Sequence, residues 1–259
     1  MGILNRTPDS FFDRGAYFGM DAFWRRAECL VEEGADLLDV GGVKAGPGPK
    51  VSEQEEMDRV VPAVAGLASR FDLPLSVDTW RASVAREAFA AGASLGNDIS
   101  GFADPDYLVV AAEANASVVA THIRLAPRVA DPEPKYEDLV GEVEAFLLER
   151  AGRARRAGLA DSQIVIDAGL DLGKDAYQSL ELLRATRRLA GLGWPVLLSA
   201  SNKTFLGKLF GLEVDQRAEV TLAAHCVGVV LGASILRAHD VRAARRVCDT
   251  LGALAAIEA

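Results

Sequence analysis

Short apolar runs that end on polar residues punctuate the chain. They fall at residues 2–5, 37–40, 75–78, 94–98, 117–122, 164–167, 196–199 and 235–239. Uninterrupted apolar runs this short suit strands of a parallel sheet covered on both faces. Between them the apolar spacing turns helical, at residues 21–33, 53–69, 81–91, 107–114, 138–157, 176–189, 218–231 and 241–259. Ser52 with Glu55 reads as a capping box that opens the second helix, and Pro62 inside that helix predicts a kink or break. Gly34, Gly92 and Gly232 each stand before a small residue where a helix gives way to a strand, a position suited to a left-handed helix end.

Eight such strand–helix units in 259 residues predict an α/β chain folded as one (β/α)8 TIM barrel spanning residues 1–259. A doubly wound sheet rarely needs eight similar units. No linker or low-complexity tract interrupts the pattern. Residues 127–134 form a Pro-rich polar loop, either a lid or a surface excursion. Met1 begins almost on the first strand, so any segment that closed the barrel floor would have to precede it.

Composition narrows the function without choosing it. Half the residues are hydrophobic, enough for a large core, and the net charge is −9. The basic residues are scattered, which argues against a nucleic-acid partner or an anionic membrane. No apolar stretch reaches bilayer length, and no signal peptide is evident. Cys29, Cys226 and Cys248 are few and odd in number, which points to a reducing, cytoplasmic setting. No spacing for a metal site built from side chains alone occurs.

In a (β/α)8 barrel the C-terminal strand ends build the active site. Here those ends carry Asn5, Asp39, Asp78, Asn97, Asp98, His122, Asp167, Asn202, Lys203, Arg237 and His239. Any one of them could be a turn former; the set together is a site. Carboxylates and amides such as Asp78, Asn97 and Asp167 match the amidine-like edge of a flat nitrogen heterocycle. Lys203, Arg237 and His239 offer positive charge on the far strands, where barrels often receive phosphate.

The motifs at these ends resemble those of the dihydropteroate synthases. Asn5-Arg6-Thr7-Pro8-Asp9-Ser10-Phe11 is similar to their N-x-T-P-D-S-F signature. In the family's order follow Asp39-Val40-Gly41-Gly42, Val77-Asp78-Thr79, Asn97-Asp98-Ile99-Ser100-Gly101, Gly173-Lys174, Lys203-Thr204-Phe205-Leu206-Gly207 and Arg237-Ala238-His239-Asp240-Val241. The resemblance implies condensation of 4-aminobenzoate with 6-hydroxymethyl-7,8-dihydropterin diphosphate, in folate synthesis. By the same resemblance Asp78, Asn97, Asp167 and Lys203 hold the pterin, and Asn5, Arg237 and His239 hold the diphosphate. Asn5 then also meets the Mg²⁺ that accompanies the diphosphate. The resemblance leaves the catalytic residues unassigned, since the family's protein mainly positions the reactants and excludes water. A homodimer is implied as well, with the apolar positions of the last helix as one candidate face.

The chain departs from the family pattern on the side expected to face the aminobenzoate. The family's Gly-Gly-Glu-Ser-Thr-Arg-Pro-Gly is here Gly41-Gly42-Val43-Lys44-Ala45-Gly46-Pro47-Gly48, losing a hydroxyl and a permanent cation. Asn202 replaces an arginine, Leu172 an aromatic wall, Thr121 a methionine, and Asp171 a glycine. Asp171 is expected to repel anionic substrates. Arg6 and Arg14 are new cations in the first loop. These changes predict a divergent paralogue that binds a pterin or an aryl amine and has little or no synthase activity. The alternative is an active synthase in which Lys44, Arg6 or Arg14 makes good the loss. A third reading is a non-catalytic binding scaffold.

Overall fold

The computed structural model describes residues 1–7 and 19–257. Pro8–Phe11 of the first motif and Arg14 lie outside them. Eight strands, β1 (Gly2–Asn5), β2 (Leu38–Gly41), β3 (Leu75–Asp78), β4 (Leu95–Asp98), β5 (Ser117–Thr121), β6 (Ile164–Asp167), β7 (Val196–Leu198) and β8 (Ala233–Leu236), form one sheet in sequence order. Every neighbouring pair is parallel. Beyond β8 the chain runs beside β1. Ala238 bridges to Gly2, its N–H donates to the Met1 carbonyl at 3.0 Å, and its own carbonyl accepts from Ile3 at 3.1 Å. The eighth strand thus begins two residues earlier than the apolar run suggested, and Arg237–His239 follow it as the segment that meets β1.

Ten α-helices are present among the described residues. The first five are α1 (Met20–Glu32), α2 (Glu53–Ala68), α3 (Ala82–Ala90), α4 (Tyr107–Glu113) and α5 (Leu139–Arg156). The others are α6 (Ala176–Arg184), α7 (Thr186–Ala190), α8 (Thr204–Phe210), α9 (Ala218–Val230) and α10 (Val241–Ile257). No helix is long and apolar enough to cross a membrane among the described residues.

Three local expectations are corrected. The helix with Pro62 runs unbroken from Glu53 to Ala68. Pro62 and Asp58, whose carbonyl loses its donor, are both exposed, so water can meet that oxygen. Only half of the capping box forms. Ser52 Oγ accepts from the Glu55 N–H at 3.2 Å, while the Glu55 carboxylate turns instead to Arg59. The single helix expected over 176–189 is two, parted at Ala185. The short helix α8 had no counterpart in the apolar spacing.

The strand pleat decides where the chemistry sits. Alternate residues of a strand share a face. Met1, Leu95, Val119, Val165 and Leu197 pack together as a small apolar cluster, with Leu37 and Ile235 against it. Two residues further along the same strands stand Ile3, Asn97, Thr121, Asp167, Ser199, Asp39 and Arg237. The inner face is therefore oily at the N-terminal ends and polar at the C-terminal ends. The opposite strand faces join the larger core beneath the helices, with Leu4, Leu38, Val40, Val77, Val118 and Ile166 buried there.

Candidate active site

The polar layer is organised around Arg237. Its Nε donates to Asp39 Oδ2 at 2.6 Å and its Nη2 to Asp78 Oδ2 at 2.8 Å. Asp39 is fully buried and also accepts from Ser76 Oγ at 2.5 Å and Asn97 Nδ2 at 3.2 Å. Four strands, β2, β3, β4 and the end of β8, are thereby tied into one network. Burial works against the Arg237 charge, yet Asp39 and Asp78 outweigh it and raise its pKa. Burial raises the Asp78 carboxyl, against the pull of Arg237 and with the Asp39 charge adding to it.

A cavity of about 360 Å³ opens above this network. Asn5, Asp78, Lys203, Arg237 and His239 line it. Asn97 and Asp167 are not in its wall but lie buried below, Asn97 through Asp39 and Asp167 with its Oδ1 accepting the Gly169 N–H at 2.8 Å. Glycine at position 41 lets Asn5 and Asp78 approach, because a Cβ there would stand 3.3 Å from Asn5 Oδ1 and 3.6 Å from Asp78 Cβ. Lys203 precedes α8 and donates from Nζ to the Leu170 carbonyl at 2.7 Å. Burial lowers its pKa, with Asp171 and Asp167 opposing.

His239 is not the cation that the sequence suggested. Burial, then the charges of Arg237, Arg26 and Lys203, push its pKa down to about 3. Ser201 Oγ accepts the His239 backbone N–H at 3.1 Å and lies 3.0 Å from Nδ1. Because a hydroxyl both donates and accepts, that contact suits either neutral tautomer of the ring. His239 is thus a neutral hydrogen-bonding group.

Three other strand-end residues serve the frame. Asp98 accepts from the N–H groups of Ser100 and Phe102 at 2.6 and 3.0 Å. Asn202 turns to Thr221, whose Oγ1 accepts the Asn202 N–H at 3.1 Å. His122 lies 2.7 Å from Lys174 Nζ, which also meets the carbonyls of His122, Gly169 and Leu172, and burial lowers the pKa of that lysine. Burial lowers the His122 pKa to about 3.

On the rim, Val43, Lys44, Ala45 and Gly46 line the cavity where a hydroxyl and a guanidinium were missed in the sequence. Arg237 is the one arginine among the described lining residues, and two carboxylates hold it. Arg128 reaches the same loop but donates to the carbonyls of Lys44 at 2.9 Å and Pro49 at 2.5 Å. The loop over 127–134 is therefore strapped to the loop after β2. Arg6 donates to the Arg59 carbonyl at 2.5 Å. Asp171 accepts from the N–H of Thr204 at 2.6 Å and of Phe205 at 3.1 Å, a cap for α8. Ser199 and Ser201 also line the mouth. Strand-end reading missed them because serine there looks like a turn residue. A larger hollow, about 660 Å³, lies away from the strand ends between α6, α8 and α9.

Comparison with known proteins places this arrangement. The family described as pterin binding enzyme matches residues 1–239. A Mycobacterium leprae protein named inactive dihydropteroate synthase 2 is 44% identical over 98% of this chain and 89% of its own length. The chain belongs to the dihydropteroate synthase family. Within it, the Synechocystis dihydropteroate synthase is 39% identical over 98% of this chain and 89% of its own length. The crystal structure of the Yersinia pestis dihydropteroate synthase with a sulfonamide drug superposes with a TM-score of 0.95 at 36% identity, covering 99% of this chain and 93% of that one. Relatives named as inactive and relatives named as synthases are thus about equally similar to this dihydropteroate synthase homologue.

Proposed function

We propose that this protein binds a 6-hydroxymethyl-dihydropterin diphosphate in the mouth of a closed (β/α)8 barrel and condenses it with 4-aminobenzoate weakly or not at all. The Gly2–Ala238 bridge supports closure. The observation that carries the reading is the contrast between floor and rim. Asp78 and Lys203 line the mouth and Asn97 and Asp167 lie buried below it, a set of polar groups that suits a heterocycle with a donor-rich edge. Around the rim Ala45 and Gly46 offer neither hydroxyl nor cation. Loss of one preorganised charge donor costs roughly two to three powers of ten in rate.

Asn5, Lys203, Arg237 and the neutral His239 line the same cavity and suit the diphosphate. Mg²⁺ fits only together with that group. No cluster of three or more His, Cys, Asp or Glu side chains able to hold a metal occurs among the described residues, and Asn5 supplies one neutral oxygen. When bound, the ion would neutralise charge on the leaving diphosphate. The chain's own work is to orient the pterin and shut out water.

A second copy of the chain would cover the apolar hollow between α6, α8 and α9, where Tyr177, Phe210 and Val227 are exposed. Three unpaired cysteines fit a cytoplasmic setting.

One feature favours the alternative of a working synthase: Lys44 lines the cavity two positions before the missing cation. A single assay separates the readings. Titration calorimetry with the pterin diphosphate and Mg²⁺ should give binding, while diphosphate release with 4-aminobenzoate at high protein should stay near background. Turnover like that of a related synthase would refute the claim of lost activity, and absence of pterin binding would refute the whole reading.

A further inference from the structure

We propose that Asp171 makes the second-substrate side of the mouth selective for an uncharged aryl amine over an acidic one. This rests on the reading that the pterin diphosphate occupies the neighbouring cavity.

Asp171 stands in the left-handed region at φ +67°, a conformation that costs a side-chain-bearing residue energy. Three hydrogen bonds hold it there. Its carboxylate takes the Thr204 and Phe205 N–H groups, and its own N–H donates to Ser179 Oγ at 3.1 Å. The anion is therefore fixed in place.

Its position is a partition. Asp171 and Leu172 line both the 360 Å³ cavity and a second one of about 280 Å³ beneath the loop over 127–134. The walls of that second cavity are largely apolar, including Ile123, Leu125, Val129 and Pro132. Its charged side chains are all engaged. Arg128 braces the loop after β2, Asp131 pairs with Arg124 at 2.8 Å, and Lys174 is ringed by three carbonyls and His122. An aromatic ring would exchange water for Leu172 and Ile123. A carboxylate on that ring would lose its water and stand beside the fixed Asp171 anion, while Arg128 has turned its donors to the carbonyls of the neighbouring loop. The Asp171 charge reaches beyond its own cap, since it is the largest charge opposing the burial of Lys203.

The test is calorimetry on protein saturated with pterin diphosphate and Mg²⁺, titrated with 4-aminobenzoate and with its neutral analogue 4-aminobenzamide. The amide should bind about tenfold more tightly than the acid, the effect of one fixed like charge at intermediate dielectric. In Asp171→Asn, which keeps an acceptor for α8 and tolerates positive φ, the acid should gain about tenfold while the amide stays unchanged. Asp171→Gly, at home at this φ, gives the same readout if the asparagine variant unfolds. Equal binding of acid and amide by the unaltered protein, an acid-to-amide ratio that the substitutions leave unmoved, or binding of neither amine overturns the proposal. Failure of the pterin diphosphate to bind in the preceding titration overturns the proposed function and this inference together, a result distinct from pterin binding without discrimination between amines.

Discussion

Replacing Arg237 with glutamine is the sharpest probe of the network that organises the mouth. The substitution removes a cation whose side chain is 15% exposed and which holds two carboxylates, Asp39 at 0% and Asp78 at 16% exposure. Asp39 keeps Ser76 and Asn97 as neutral donors, but two like charges then share one buried layer. Removing one partner of such a buried pair costs about 3–5 kcal/mol, because the remaining charge is uncompensated. Against a domain stability of roughly 5–15 kcal/mol that is a large fraction. Arg237→Lys, a point charge that cannot fork to both acids, should fall between.

The pH dependence identifies the cause. Burial already raises the Asp78 carboxyl, and loss of Arg237 raises it further. A carboxyl raised in the folded state adds stability that is complete below its unfolded pKa and is lost as pH rises through the folded value. The gap between variant and parent should therefore be widest near pH 8 and narrow as the pH falls through 7 toward about 5.5, each pKa unit being worth about 1.4 kcal/mol. Urea unfolding followed by tryptophan fluorescence at both pH values measures it. A gap below about 1 kcal/mol at pH 8, or one that does not narrow in acid, would refute the reasoning.

Two further outcomes follow from other parts of the fold. His225 on α9 is buried with neither ring nitrogen hydrogen-bonded among the described residues, and burial lowers its pKa to about 4. Such a histidine carries no titration penalty above its unfolded value near 6.5 and destabilises as pH falls toward 4, so His225→Leu should gain about 2 kcal/mol at pH 5 relative to its effect at pH 8. Equal shifts in the urea midpoint at the two pH values would contradict this. Gly169 sits at φ +65°, and a Cβ there would lie 1.9 Å from the His122 carbonyl oxygen. Gly169→Ala should cost about 2–4 kcal/mol in thermal unfolding, and an unchanged melting temperature would show that the β5–β6 contact is softer than drawn.

The outline of the fold was legible because apolar runs and helical spacing are local signals. The runs at 2–5, 75–78 and 164–167 coincide with β1, β3 and β6, and each ends on a polar residue. The glycine ends at Gly34, Gly92 and Gly232 all take positive φ. Where local pattern failed, a distant partner was in control. The eighth strand is shifted because Ala238 is claimed by β1. Helix α8 exists with a cap supplied from Asp171 on another loop. Glu55 leaves its capping role for Arg59.

The same division holds for chemistry. The amino-acid sequence alone determined which polar residues end the strands, that they belong with the dihydropteroate synthases, and that the loop after β2 lacks its hydroxyl and guanidinium. Strand pleat and family motif are encoded residue by residue, so neither needed coordinates. Only the tertiary structure decided what each polar group does. It joined Arg237 to Asp39 and Asp78 across more than 150 residues of chain, left His239 neutral by burying it among cations, and turned Asp171 from a loose charge into a fixed cap between two cavities. Charge state and direction depend on burial and on partners brought together by folding, and no spacing along the chain records them.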